Sequence, residues 1–185
     1  MPCPHCKITI IKRSNNESAV SAAAYQSGEK LFSEYDQEQK YYPYKNEVTH
    51  KEIMLPPHVP PEFADRNTLW NSAEAQEKQW NSQLARRFVL AIPREIPPGQ
   101  YADLIRDYCR EFFVSKGMIA DFAIHDKGDG NPHAHILLTM RAMDECKCQY
   151  KNVGFLENKH VGKPTFLFSI LIIFCHILHL IFESV

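Results

Sequence analysis

The chain has 185 residues, a length that suits one domain with a substantial core and is short for two. Hydrophobic residues make up 44% and charged residues 23%, which argues against disorder over most of the length. The formal net charge of −1 argues against a protein that holds nucleic acid by bulk electrostatics, because such domains are usually basic. A local basic groove or a bound divalent cation is compatible with this charge.

The first half of the chain contains two strand patterns separated by a helix. Residues 6–12 are β-branched and partly alternating, which predicts a strand. Residues 19–31 are rich in alanine and follow cap-forming residues, so we expect a helix there. Residues 34–46 are polar and tyrosine-rich, which indicates a loop or short hairpin. A second strand is predicted over residues 47–55, before a proline pair.

The second half continues the alternation. Apolar residues up to Trp80 recur at helical spacing, which predicts a helix over residues 62–82. Further elements are predicted as a strand over 84–92, a helix over 99–116 capped by Gly117, and strands over 118–126 and 133–141. The order β-α-β-α-β-α-β-β favours an α+β fold with a central, mainly antiparallel sheet flanked by helices.

The six cysteines lack the dense spacing of a disulfide scaffold. The N-terminus shows no basic stretch followed by an apolar run, so no signal peptide is predicted. Both features favour a reducing, cytoplasmic location. A zinc site from Cys3 and Cys6 with Cys146 and Cys148 is disfavoured, because the second pair has unusual spacing.

Three histidines lie around a turn-rich connector between the last two predicted strands. His133 and His135 are two residues apart on one strand and therefore share a face. His125 ends the preceding strand, and the short connector returns it beside them. Three converging imidazoles with open positions can hold a metal ion that accepts a substrate oxygen. The alternative is a set of structural or exposed histidines at the mouth of a hairpin.

Tyr25 lies in the alanine-rich helix. A tyrosine in such a helix is usually part of the core. Here Ala22, Ala23 and Ala24 leave space around the ring and Gly28 follows in the next turn, so a nucleic-acid backbone could approach closely.

Several motifs in order resemble the MobA/MobL family of plasmid mobilisation relaxases. They are the run from Arg13 to Leu31 with Ser-Ala-Ala-Ala-Tyr-Gln-Ser-Gly-Glu-Lys, then Glu52-Ile-Met-Leu-Pro, Leu84-Ala-Arg, Ile92-Pro-Arg-Glu, and Ala120-Asp-Phe-Ala-Ile-His-Asp with Asn-Pro-His-Ala-His. The resemblance covers about residues 5–143.

The resemblance implies a tyrosine–histidine (HUH-type) endonuclease fold. It also implies an activity that nicks one DNA strand at a transfer origin. It implies Tyr25 as the nucleophile, which becomes a 5′-phosphotyrosine. It implies His125, His133 and His135 as ligands of Mg²⁺ or Mn²⁺. The implied partners are single-stranded or supercoiled origin DNA and accessory mobilisation proteins.

Other side chains are weaker candidates for the site. Asp121 and Asp126 flank the histidine motif and are candidates to orient an imidazole, with surface or turn-capping roles as the alternative. Glu74 and Glu77 lie near each other on a helix and could supply a base, although a solvated face is favoured. Basic candidates for phosphate contacts, each of which could equally be a surface charge, are Lys7, Lys12, Arg13, Arg86 and Arg87.

The sequence changes character after residue 143. We therefore expect a nicking domain over residues 1–143 and a divergent tail over 144–185, which contains an apolar segment at 166–182. Two histidines inside that segment make membrane insertion costly, so a frameshifted end is favoured over a membrane anchor.

Two other functions stay open from the sequence. One is a truncated, non-catalytic remnant that binds DNA. The other is a metal-dependent phosphodiesterase that uses water, with Tyr25 in a structural role.

Overall fold

A computed structural model describes residues 6–43 and 47–142. Its strands, in chain order, are β1 (Cys6–Lys12), β2 (Leu31–Ser33), β3 (Glu38–Lys40), β4 (Val48–Met54), β5 (Gln83–Ala91), β6 (Ala120–His125) and β7 (His133–Thr139). Five of them form one sheet in the order β1-β5-β7-β6-β4, and every neighbouring pair is antiparallel. Strands β2 and β3 form a separate antiparallel hairpin.

Three helices flank the sheet: α1 (Ala19–Ser27), α2 (Arg66–Gln76) and α3 (Tyr101–Phe112). Helices α1 and α2 pack on one face, where their small and apolar residues join Ala85 and Leu137 of the sheet in a buried cluster. Helix α3 lies on the other face, where Arg106 binds Glu52 of β4. The predicted α+β fold, an antiparallel sheet flanked by helices, is confirmed.

All three predicted helices end earlier than expected. Helix α3 ends at Phe112, and the residues up to the cap at Gly117 form a separate 3-10 turn over Val114–Lys116. Helix α1 ends at Ser27 because Gly28 adopts a left-handed conformation with φ of 69°. Helix α2 begins only after Asp65, whose side chain accepts a hydrogen bond from the Thr68 amide, and it ends at Gln76. The prediction that Trp80 belongs to this helix is wrong, because Trp80 follows the helix end and is 74% exposed.

The strand register assigns each side chain to one face of the sheet. His125 pairs directly with His133, and His135 pairs with Val89 on β5. Because side chains alternate along a strand, the three histidines share the face that carries α1 and α2. Arg87 lies on this face and Arg86 on the opposite one.

A buried ion pair joins α2 to the middle of the sheet. Asp121 is fully buried, and its carboxylate accepts hydrogen bonds from Nε and a terminal nitrogen of Arg66, each at 2.9 Å. Trp70 Nε1 donates a third hydrogen bond at 2.8 Å. These bonds satisfy a carboxylate that would otherwise be very costly to bury.

The predicted tail over residues 144–185 lies outside the described residues, as do Cys3, Cys146 and Cys148. Within residues 6–43 and 47–142, no helix has the length and apolar character needed to cross a bilayer.

Candidate metal centre and nucleophile

His125, His133 and His135 form one cluster at the end of the β6–β7 hairpin. One ring nitrogen from each lies within 4.8 Å of the others. The ring centroids of His125 and His135 are 4.4 Å apart, and those of His133 and His135 are 5.1 Å apart. The predicted convergence of the three imidazoles is therefore confirmed.

Backbone carbonyls fix the hydrogen on two of these rings. A carbonyl only accepts, so His133 Nδ1 donates to Asn131 O at 3.0 Å and its lone pair lies on Nε2. His125 Nε2 donates to Gln26 O at 2.7 Å, which leaves the lone pair of this buried ring on Nδ1. Ligand histidines in proteins are held in this way by a hydrogen bond from the second nitrogen. The donor set is compatible with a divalent metal ion.

The ring of Tyr25 lies beside this cluster. Its centroid is 6.4 Å from that of His135, with the rings nearly perpendicular. The side chain is 38% exposed and does not lie in the core. Tyr42 also makes an edge-to-face contact with this ring, with centroids 5.4 Å apart. The structure thus brings the predicted nucleophile and the predicted metal ligands together.

The last turn of α1 is joined directly to the cluster. The carbonyl that accepts from His125 belongs to Gln26, the residue after Tyr25. The Gln26 side chain is also buried, and its Nε2 donates to the backbone oxygen of Asp121 at 3.1 Å. Gln26 therefore ties the helix that carries the phenol to the strand that carries the first imidazole. No sequence pattern indicates this contact, because a backbone carbonyl is common to all residues.

The predicted role of Asp121 in orienting an imidazole is wrong. Asp121 binds Arg66 and Trp70 instead, near the start of β6 and four residues before His125. Asp126 follows the alternative prediction and caps a turn, accepting a hydrogen bond from the Gly128 amide at 2.8 Å.

Neither Glu74 of α2 nor Glu77, which directly follows this helix, lies on a solvated face. Glu74 is buried, and its Oε1 accepts hydrogen bonds from the amides of Ala19 and Val20 and from the Ser18 hydroxyl. It therefore caps the N-terminus of α1. Glu77 forms an ion pair with Arg141. The prediction that these two residues lie on a solvated face is therefore wrong.

The basic candidates divide by position. Arg87 lies on the histidine face, and Lys7 lies there too, opposite Val89 on the exposed edge strand. Lys12 ends that strand at a bulge. Arg13 donates to the backbone oxygens of Glu74 and Glu77 and stacks on Tyr35.

Arg86 lies on the α3 side, away from the histidines, and burial lowers its pKa. A role for Arg86 in binding DNA beside the histidines is therefore ruled out by its face of the sheet.

Glu47 is a neighbour of the cluster that the sequence analysis missed. Its Oε1 lies 3.6 Å from His125 Nδ1, and its Oε2 lies 3.3 Å from Lys127 Nζ. Its backbone oxygen accepts a hydrogen bond from the Asp126 amide. A lone glutamate before a strand carries no pattern that would have identified it.

Comparison with known proteins agrees with the motif order. The sequence profile of the MobA/MobL family matches residues 17–165, which is most of the chain. The chain belongs to the MobA/MobL family. The family match continues past residue 143, so the resemblance extends further than predicted, and it ends directly before the apolar segment. The domain boundary after residue 143 stays a prediction.

Individual MobA/MobL relatives are much longer than this chain. Conjugal transfer protein TraA of Agrobacterium fabrum is 36% identical in an alignment of 157 residues that covers 78% of this chain and 14% of TraA. Probable mobilization protein MobA of Bifidobacterium longum is 35% identical over 141 residues, covering 76% of this chain and 25% of that protein. The chain thus spans a quarter or less of the length of these relatives.

A solved structure described as "Molecular Basis of Vancomycin Resistance Transfer in Staphylococcus aureus" has the same fold. It superposes with a TM-score of 0.75 at 30% sequence identity, over 80% of this chain and 75% of that one.

Proposed function

We propose that this chain is the nicking part of a DNA relaxase, which cuts one strand at a transfer origin and retains the cut end on Tyr25. The observation that carries the proposal is the exposed phenol of Tyr25 beside three clustered imidazoles. Relatives named for conjugal transfer and mobilisation support the same substrate, plasmid DNA. The proposed location of the protein is the cytoplasm, where it would bind this DNA together with accessory mobilisation proteins.

His125, His133 and His135 would hold the divalent cation. When bound, such a cation offsets the negative charge of a phosphodiester and orients its phosphorus for in-line attack. An all-imidazole set favours Mn²⁺ over Mg²⁺, because Mg²⁺ prefers oxygen ligands.

Tyr25 would supply the attacking oxygen. The phenol loses its proton as its oxygen bonds to phosphorus, and the bond from phosphorus to the 3′-oxygen breaks. The 3′-oxygen takes up a proton and leaves as a hydroxyl, while the 5′-phosphate stays on Tyr25. The product is still a phosphodiester, so the reverse reaction can rejoin the strand. Attack by water would instead leave a free 5′-phosphate, and no phosphodiester would remain for the rejoining reaction.

The surroundings of Tyr25 suit this reaction. The carbonyl of Gln26 holds the end of α1 against His125, so the phenol and the imidazoles are positioned together. Lys7 and Arg87 lie on the same face of the sheet and would contact phosphates on either side of the cleaved bond.

A covalent adduct tests the proposal. The full-length chain is incubated with Mn²⁺ and a supercoiled plasmid that carries the transfer origin of its own replicon, and protein–DNA adducts are separated under denaturing conditions. We expect an adduct that maps to the tryptic peptide over residues 14–30, which contains Tyr25 and no other tyrosine. Tyr25→Phe should abolish it.

Tyr41→Phe is the matched control, because Tyr41 is similarly exposed and loses the same hydroxyl. It should form the adduct at the parent rate. Nicking that survives Tyr25→Phe would replace the proposal with hydrolysis by water. DNA binding without nicking in the parent chain would indicate a non-catalytic remnant.

A further inference from the structure

A groove of about 750 Å³ begins at Tyr25 and runs away from the histidines. It lies between the N-terminal half of α1, the β2–β3 hairpin and the segment that follows α2. Residues of all three line it, among them Ser21, Tyr35 and Trp80. The function proposed above uses Tyr25 and Arg87 from this groove and leaves its other lining residues unassigned.

Exposed aromatic rings are concentrated in this groove. Seven large hydrophobic side chains are exposed in the described part of the chain, and four of them line it: Tyr25, Tyr35, Tyr42 and Trp80. Tyr35 is 65% exposed and Trp80 is 74% exposed. A ring so exposed does not contribute to the core, and its flat face is available to a planar ligand.

Positive charge accompanies the rings. The guanidinium of Arg13 lies 4.0 Å from the centroid of Tyr35, where it fixes that ring from one side. Arg87 donates to Thr9, and neither Arg87 nor Lys78 forms an ion pair with a carboxylate of residues 6–43 or 47–142. These two cations can therefore accept an anionic partner.

The acidic groups of the groove are already engaged within the protein. Glu17 accepts a hydrogen bond from the Lys12 amide, and Asp36 forms an ion pair with Lys40. Lys40 offsets the charge of Asp36, and the amide of Lys12 holds the Glu17 carboxylate in place, so these two groups oppose a bound polyanion less than free carboxylates would.

We propose that this groove binds unpaired nucleotides that adjoin the phosphate cleaved by Tyr25. Trp80 and Tyr35 stack on the bases, and Arg87 and Lys78 neutralise the backbone. Exposed aromatic faces alternating with cations are how proteins bind single strands, because an unpaired base offers a face that a duplex keeps inside its stack. The choice of DNA rests on the proposed nicking function.

The tryptophan content of the chain gives a direct probe of this site. The chain has two tryptophans, and Trp70 is fully buried whereas Trp80 lies in the groove. The experiment uses the full-length chain with Tyr25→Phe in EDTA, so that binding is measured without cleavage or metal. Oligothymidylate of twelve nucleotides is added, and the tryptophan emission is recorded. We expect quenching that saturates, and no quenching with a twelve-residue abasic oligonucleotide.

Substitutions then test which residues carry the binding. Trp80→Phe should remove the quenching and leave the emission of Trp70. Trp80→Ala should weaken the binding of a labelled oligonucleotide about tenfold, or ~1.4 kcal/mol. Phe32→Ala is the matched control, because Phe32 is an exposed aromatic residue outside the groove, and its affinity should equal that of the parent.

The cation contribution appears in the salt dependence. Lys78→Gln should lower the slope of log affinity against log salt concentration by about 0.7. Lys116→Gln, which follows α3 on the other side of the sheet, should leave the slope unchanged.

Quenching that persists in Trp80→Phe, or equal affinities for Trp80→Ala and Phe32→Ala, would overturn the inference. The adduct assay is independent of these measurements. Quenching at Trp80 without an adduct would therefore refute the nicking function and support nucleotide binding in the groove. An adduct without quenching would support nicking and refute nucleotide binding in the groove.

Discussion

Substitution of Asp121 by asparagine separates a structural role from a role at the histidines. Asp121 is fully buried on the histidine face, but its carboxylate binds Arg66 and Trp70. Asparagine keeps the shape and one acceptor oxygen. It removes the negative charge and turns an NH₂ group toward the donors of Arg66.

The expected cost follows from the burial of both partners. The side chain of Arg66 is 7% exposed and that of Asp121 is 0% exposed, so water cannot replace the lost charge. Breaking one side of a buried pair costs about 3–5 kcal/mol. Glu29, which also binds Arg66 at 2.7 Å and is one-third exposed, places the expected value toward the lower end of this range. Against a total stability of about 5–15 kcal/mol for a domain, the variant should still fold at low temperature.

The assay is urea unfolding of the full-length chain followed by circular dichroism, together with a Mn²⁺ titration at low temperature. We expect Asp121→Asn to lose about 3 kcal/mol in the free energy of unfolding and to retain the Mn²⁺ affinity of the parent. Asp126→Asn is the control, since asparagine can still cap the turn at Gly128, and it should stay within about 0.5 kcal/mol of the parent. The double substitution Arg66→Met with Asp121→Leu should cost less than Asp121→Asn alone, because it leaves no buried charge from this pair.

The reasoning fails if Asp121→Asn unfolds at the same urea concentration as the parent but binds Mn²⁺ much more weakly. That result would indicate that Asp121 orients an imidazole of the metal site.

Three further predictions concern the metal site, the helix cap and acid stability. His135→Ala should weaken Mn²⁺ binding, measured by calorimetry, at least tenfold, whereas His50→Gln on the other face should not; equal affinities would refute the cluster as a metal site. Glu74→Ala should lower the free energy of unfolding by about 1–3 kcal/mol, because three donors at the start of α1 lose their acceptor; an unchanged melting temperature would contradict the capping role. Hydrogen bonding to Arg106 lowers the pKa of Glu52, so its stabilisation is present above the unfolded carboxyl pKa of about 4.3 and is lost as the pH falls through the lower folded value. Glu52→Gln should remove that part of the acid dependence in unfolding measured from pH 7 to 3, and an unaltered pH profile would count against the pair.

The parts of the site that could be predicted are local in sequence. His133 and His135 share a face because they are two apart on a strand, and a short turn brings His125 opposite His133. The sheet and its helices followed from the same kind of periodicity. Each of these predictions needed only neighbouring residues.

The contacts that could not be predicted join distant segments. The partners of Asp121 come from α2, more than fifty residues earlier, and Glu74 of α2 caps α1. Nothing in the local pattern distinguishes a glutamate that caps another helix from one in solvent. The prediction for Trp80 is wrong although it uses a local pattern. The helical spacing of apolar residues continues to Trp80, whereas the helix ends at Gln76.

The hydrogen bond from His125 to the carbonyl of Gln26 has a consequence for how activity can be lost. The imidazole cluster is assembled within one hairpin, whereas the phenol arrives on a helix from the other end of the described chain. Loosening α1 would therefore displace the phenol and also remove the acceptor that orients His125, while His133 and His135 keep their places on β7. Substitutions at the N-terminus of α1, far from either reactive group, would then lower both metal affinity and DNA cleavage.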